Sequence, residues 1–190
     1  MPEVKYDIAR SRKDLEAILA LQRANLPARL TEPEARREGF VTVEHDLDLL
    51  TRMNTPHPHI VARAAGEIIG YALVMGREMA KSIPILLDMF EQINAIVYRG
   101  RRLGQSRYVV MGQICIAKAW RGKGIFAGLY EEMARRLSGH FDYIITEIAL
   151  RNTRSMRAHE KAGFENILEY RGATGEDWAI VLLDISGRRA

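Results

Sequence analysis

Cysteine is almost missing from this chain: Cys115 is the only one in 190 residues. A lone thiol excludes an internal disulfide and any zinc site built from several cysteines. It lies in the apolar run GQICIA, where a cysteine reads as a small buried hydrophobe. Long hydrophobic runs are missing too. No stretch approaches the roughly 18–20 apolar residues that span a bilayer, so no membrane partner is expected. The first residues, MPEVKYDIARSRKD, lack the apolar core of a signal peptide, and the expected location is the cytoplasm. There are no repeats and no low-complexity linkers. Strong charge of one sign is also lacking, with a net +4. That mild excess suits an anionic ligand as well as weak nucleic-acid contact. The densest basic patch, YRGRRLGQSR (98–107), has no recognition-helix pattern. It reads as a solvated loop, and nucleic acid is not an expected partner.

What is present is an ordinary core-forming composition, 47% hydrophobic and 27% charged, enough for one domain over 1–190. EVKYDIARS reads as a first strand. Ser11 with Asp14 makes a near capping box for a helix whose apolar face runs through Leu15, Ile18, Leu19 and Leu21 or Gln22, to about Asn25. EPEARREGF and HDLDLLTRMN read as short helices. His59–Ala64 and Ile68–Met75 read as two strands around a tight Ala65-Gly66-Glu67 turn. An inserted segment, about 77–107, carries an apolar helical pattern starting near Pro84. Its roles could be a lid, an acceptor-site wall or a homodimer contact. RYVVMGQICIAKAW is the next strand. A helix follows to about Ser138, with Ile125, Leu129, Met133 and Leu137 on one face. FDYIITEIAL is a strand, and NTRSMRAHEKAG is a helix with Asn152 as N-cap and Gly163 just past its end. FENILEYRG and DWAIVLLDI close the chain as strands. This order predicts an α/β domain around one mixed sheet.

The stretch WRGKGIF, at the end of a strand, places glycines where a helix begins. First-turn amides of a helix have no intrahelical partner and carry the positive end of the helix dipole. Gly122 and Gly124 remove side chains that would hold an anion away, and Arg121 and Lys123 add cationic charge. Together these suit a pyrophosphate. A P-loop requires Ser or Thr after the lysine, where this chain has Gly124. A dinucleotide fingerprint belongs early in a βαβ unit, and these glycines come late. The competing reading is a tight strand-to-helix turn with no ligand.

With its second half, NTRSMRAHEKAGF, this sequence resembles the GCN5-related N-acetyltransferase (GNAT) superfamily. RGKGIF supplies the arginine and glycines of the signature; Asn152, Ser155, His159, Lys161, Gly163 and Phe164 fill the second motif at the right distance. The resemblance implies a GNAT-type acyl-CoA N-acyltransferase fold, a mostly antiparallel sheet of about six to seven strands flanked by helices. It implies acetyl-CoA or another acyl-CoA as co-substrate, with no metal. The pantetheine arm would lie along Gln113–Ala117, past Ile114, Cys115 and Ile116. The diphosphate would sit on the amides of Arg121, Gly122, Lys123, Gly124, Ile125 and Phe126. Asn152 would bond the pantetheine or cap its helix, and Ser155 would lie near the CoA phosphates. Phe126 stands where the family has glycine or alanine, so its ring must turn away from the cradle. His159 replaces the family's tyrosine, whose hydroxyl can protonate the departing thiolate. An imidazole can do the same, or can pack.

The expected chemistry is direct attack of a primary amine on the thioester in a ternary complex, without a covalent enzyme intermediate. Glu147 is the candidate base, since a strand carboxylate near the cleft can have its pKa raised by burial; the bland alternative is a surface or salt-bridged glutamate. Gln113 holds a position where some relatives carry the basic glutamate, and an amide there can orient water or acceptor. Glu78 and Glu44 remain open as bases. His57 and His59 look like a metal pair on paper but have no further ligand at a telling spacing. His45 and His140 read as solvated or loop residues. The alternative function is a module that binds acyl-CoA without effective catalysis. The sequence leaves the acceptor unidentified.

Overall fold

The computed structural model describes residues 2–26, 44–83, 86–173 and 175–188. EPEARREGF and Pro84 lie outside them. Nine strands and five α-helices are described: β1 (Val4–Ile8), α1 (Arg12–Arg23), α2 (Leu47–Met53), β2 (Ile60–Ala64), β3 (Glu67–Met75), α3 (Leu87–Ala95), β4 (Val97–Tyr98), β5 (Arg101–Arg102), β6 (Tyr108–Ile116), α4 (Ile125–Leu137), β7 (Tyr143–Ala149), α5 (Thr153–Lys161), β8 (Glu165–Arg171) and β9 (Asp177–Asp184). Seven strands form one sheet in the order β1-β2-β3-β6-β7-β9-β8. The pairs β1/β2, β2/β3, β7/β9 and β8/β9 are antiparallel, and β6/β7 is parallel. The fold is the expected mixed, mostly antiparallel sheet flanked by helices. The chain divides into two compact units, Met1–Met75 with Met111–Met133, and Gly76–Val110 with Ala134–Ala190.

In the first unit, local chemistry starts the elements as read. The Ser11 hydroxyl accepts from the Asp14 amide at 3.2 Å, and the Asp14 carboxylate accepts from the Ser11 amide at 3.2 Å, a complete capping box. Asp14 also binds Arg63 of β2 at 2.7 Å, which ties the helix start to the sheet. The β2–β3 turn has Ala65 and Gly66 at φ 49° and 85°, the left-handed pair that suits the strand twist. His59 is fully buried. Its Nδ1 accepts from the Val74 amide at 3.0 Å, and its Nε2 donates to the Leu50 carbonyl at 3.3 Å. It therefore stitches β2, β3 and α2 together, and burial lowers its pKa to about 3. Ile125, Leu129 and Met133 of α4 are buried on one face, as the periodicity requires.

In the second unit, α3 buries Met89, Phe90 and Ile93. The basic patch differs from its sequence reading. It is not a plain loop: β4 and β5 pair as a short hairpin, with Arg99 and Gly100 at φ 48° and 80° supplying the turn. Arg99 reaches Asp184 at 2.5 Å, and the Tyr98 hydroxyl donates to Glu165 at 3.1 Å. The arginine is thus held by carboxylates of β8 and β9. The start of the segment is anchored by Arg77, which donates to Asn94 and to the Gly104 carbonyl, both at 3.1 Å, and lies over the Tyr108 ring.

Candidate active site

The first unit contains the glycine turn and the C-terminal half of β6. A short 3-10 turn, Lys118–Trp120, leads from the strand to the glycines. Gly122 and Gly124 have φ 72° and 78°, and a Cβ built on either would meet nothing within 4 Å. Gly128, one turn into α4, is different in kind: a Cβ there would run into the Tyr6 ring. Gly128 is a packing glycine. A side chain at Gly122 or Gly124 would instead enter open space, and the first-turn amides of a helix such as α4 are the kind of donors a diphosphate uses. The residues present fit acyl-CoA at this corner.

The two cations beside the turn are braced. Arg121 donates through Nε to the Ile116 carbonyl at 3.1 Å and through its guanidinium to Asn25 at 2.5 Å. Asn25 in turn donates to the Leu21 carbonyl at 2.8 Å. Lys123 donates to the Ala119 carbonyl at 2.8 Å and lies 5.3 Å from the Trp120 ring centre. Both therefore support the turn from which the amides project. Phe126 packs edge-on against buried Tyr130, with ring centres 5.2 Å apart.

Along β6 the side chains alternate: Gln113 and Cys115 are buried, while Ile114 and Ile116 are half-buried on the other face. The Gln113 oxygen accepts from the Tyr71 hydroxyl and from Gln22 Nε2, both at 2.6 Å. Gln22 also holds His45, through the His45 amide at 2.9 Å and Nδ1 at 2.8 Å. His45 is buried, contrary to its reading as a solvated loop residue, and burial lowers its pKa to about 4. The Cys115 thiol lies beside the Tyr71 hydroxyl, and burial raises its pKa to about 11. It stays protonated at neutral pH and is no nucleophile. Gln22 carries one signal legible in the sequence, a polar residue at a core position of an amphipathic helix. No local pattern links Gln22 to Gln113, 91 positions away.

The second unit contains Glu147, Asn152, Ser155 and His159. Glu147 stands half-buried on β7 and accepts a hydrogen bond from the Tyr170 hydroxyl of β8. Burial raises its pKa to about 7; the tyrosine bond opposes that and the Asp88 carboxylate of α3 adds to it. This is a carboxylate tuned to exchange a proton near neutrality. Asn152 caps α5: its side-chain oxygen accepts from the Ser155 amide at 3.2 Å. His159 is buried, and its Nδ1 donates to the Ser155 carbonyl at 2.8 Å, with the Ser155 hydroxyl at 3.3 Å. Its ring meets Phe164 edge-on at 5.1 Å. Burial lowers its pKa to about 4, so it is neutral at pH 7 with its proton directed at the main chain. Glu44 is exposed, and the carboxylate of Glu78 lies close against Gly76. Among the described residues, no group of three or more His, Cys, Asp and Glu is arranged to hold a metal ion, and no helix is long and apolar enough to cross a membrane.

A model of the acetyltransferase (GNAT) family matches residues 15–164. The chain belongs to the GNAT acetyltransferase family. Enzyme class, N-acetyltransferase, and use of acetyl-CoA follow from that membership. No curated protein sequence matches the chain. Among solved structures, the ribosomal-protein-S18-alanine N-acetyltransferase from Escherichia coli is 14% identical with a TM-score of 0.61, over 97% of this chain and 95% of that one. An N-acetyltransferase from Staphylococcus aureus Mu50 is 18% identical with a TM-score of 0.60, over 96% and 99%. The yncA protein of Salmonella typhimurium, solved with its cofactor acetyl-CoA, is 16% identical with a TM-score of 0.61, over 98% and 96%. At such identities the likeness is one of fold.

Proposed function

We propose that this protein transfers an acetyl group from acetyl-CoA to a primary amine by direct attack. One observation carries the reading. Gly122 and Gly124 adopt left-handed backbone conformations at the start of α4 and leave open the space a side chain would fill. The amides of Arg121–Phe126 grip the diphosphate there, and Gln113–Ala117 offer main-chain partners to the pantetheine arm. Glu147, with a pKa of about 7, takes the proton from the acceptor amine. The amine nitrogen bonds the acyl carbon, the carbon–sulfur bond breaks, and the thiolate takes a proton from solvent. His159 is neutral and directs its proton to the Ser155 carbonyl, so we assign it to positioning α5 and not to acid catalysis. Asn152 and Ser155 build the start of that helix. The test is release of free CoA thiol from acetyl-CoA against a panel of small amines, amino acids and peptides. Glu147→Gln should lower turnover by about 100-fold or more while acetyl-CoA affinity holds. CoA binding with no amine-dependent thiol release from the unaltered protein would favour a module that binds acyl-CoA without catalysis.

A further inference from the structure

Glycine has more backbone freedom to lose than any other residue. A turn with two of them, at φ 72° and 78°, is ready for a ligand only where contacts from outside hold it still. Lys123 reaches back only to the Ala119 carbonyl, close by in the same turn. Arg121, the residue before Gly122, reaches further. Its Nε donates at 3.1 Å to the Ile116 carbonyl at the end of β6, and its guanidinium donates at 2.5 Å to Asn25 Oδ1, 96 positions away. Asn25 lies just past α1 and is 6% exposed. Its Nδ2 donates at 2.8 Å to the Leu21 carbonyl, in the last turn of the helix, where intrahelical donors run out. These two contacts fix which way the Asn25 amide faces. A carbonyl can only accept and a guanidinium can only donate, so turning the amide over would set oxygen against oxygen and N–H against N–H.

We propose that Asn25 is a positioning residue for acyl-CoA binding: it pins the Arg121 guanidinium between α1 and β6 and so holds the glycine turn in the form that receives the diphosphate. The arginine then serves the site as a strut. Its planar fork spans acceptors on two different elements at once, which a point charge on a flexible stem does not. The affinity gained this way comes from order established before the ligand arrives. This rests on the proposed seating of the CoA diphosphate on Arg121–Phe126.

The test is titration calorimetry of the full chain with CoA. Asn25→Leu removes the acceptor and should weaken CoA binding by about five- to tenfold. Asn25→Asp keeps an oxygen for Arg121 while losing the donor to Leu21, and its affinity should stay within about twofold of the parent. In an Arg121→Leu background, Asn25→Leu should change CoA affinity by less than about twofold, because the route through the guanidinium is already cut. Unaltered CoA affinity in Asn25→Leu overturns the inference. So do equal losses in Asn25→Leu and Asn25→Asp, which would reduce the asparagine to a helix cap, and so do losses that multiply in the double variant. Should the Asn25 variants fail to fold, Arg121→Lys gives a second route. It keeps the charge but not the fork, and should also weaken CoA by about five- to tenfold. Parent-like affinity there would show that charge alone matters and overturn the proposal. CoA that fails to bind the unaltered protein removes the diphosphate assignment itself, and this inference with it.

Discussion

Gly124→Ala separates a ligand cradle from an ordinary turn. The added Cβ meets nothing within 4 Å, so the cost to folding comes from backbone conformation alone. An L-residue held at φ 78° costs about 1–2 kcal/mol. Reduced freedom of the unfolded chain returns about 0.4–1 kcal/mol. The net loss of roughly 1 kcal/mol corresponds to a fall in melting temperature of about 2–4 °C for a chain of this size. The effect on CoA should be far larger. Displacing the diphosphate from one charge-assisted amide contact costs about 1.5–3 kcal/mol, or about 10- to 150-fold in Kd. Gly128→Ala is the internal control. Its Cβ meets the Tyr6 ring, so it should cost about 1–3 kcal/mol by overpacking yet leave CoA affinity nearly intact. Calorimetric titration with CoA, paired with thermal melts, reads both effects. A Gly124→Ala protein that melts lower but binds CoA as the parent does would reduce the glycine turn to chain geometry and refute the diphosphate assignment.

Activity should rise with pH through about 7 as Glu147 loses its proton. Tyr170→Phe removes the bond that favours the ionised carboxylate and should move that limb to higher pH, and an unmoved limb would show that the tyrosine does not tune the base. His159→Phe should retain turnover within a few-fold; a loss beyond about 100-fold at constant CoA affinity would return the imidazole to acid catalysis. Stability should fall on acidification. His45, His59 and His159 have folded pKa values lowered to about 4, 3 and 4, so each takes up a proton on unfolding below about pH 6.5. Glu147, raised to about 7, works the other way and releases one above about pH 4.5. The net uptake of about two protons predicts a loss of about 2–3 kcal/mol per pH unit between roughly pH 6 and 4.5, measurable by urea denaturation across that range.

Features whose chemistry is local in sequence were legible from it. The Ser11–Asp14 capping box, the Ala65-Gly66 turn, the glycines before α4 and the Asn152 cap each depend on residues a few positions apart, and the structure contains each of them. The basic hairpin was missed because its arginines read as solvated charge, while the carboxylates that hold Arg99 lie on β8 and β9, 66 and 85 positions away. The same holds for Gln113. Its partner Gln22 is 91 positions distant, and nothing in a linear pattern pairs two amides across that span. Glu147 could be nominated from its strand position, but not its tuning, because Tyr170 and Asp88 come from other elements of the same unit.

The burial of Cys115 has a practical side. Its thiol is shielded and remains un-ionised to about pH 11. A colour reagent that consumes sulfhydryls would therefore count liberated coenzyme and leave the folded catalyst silent. Probes could likewise be attached through engineered surface cysteines without first removing the native one.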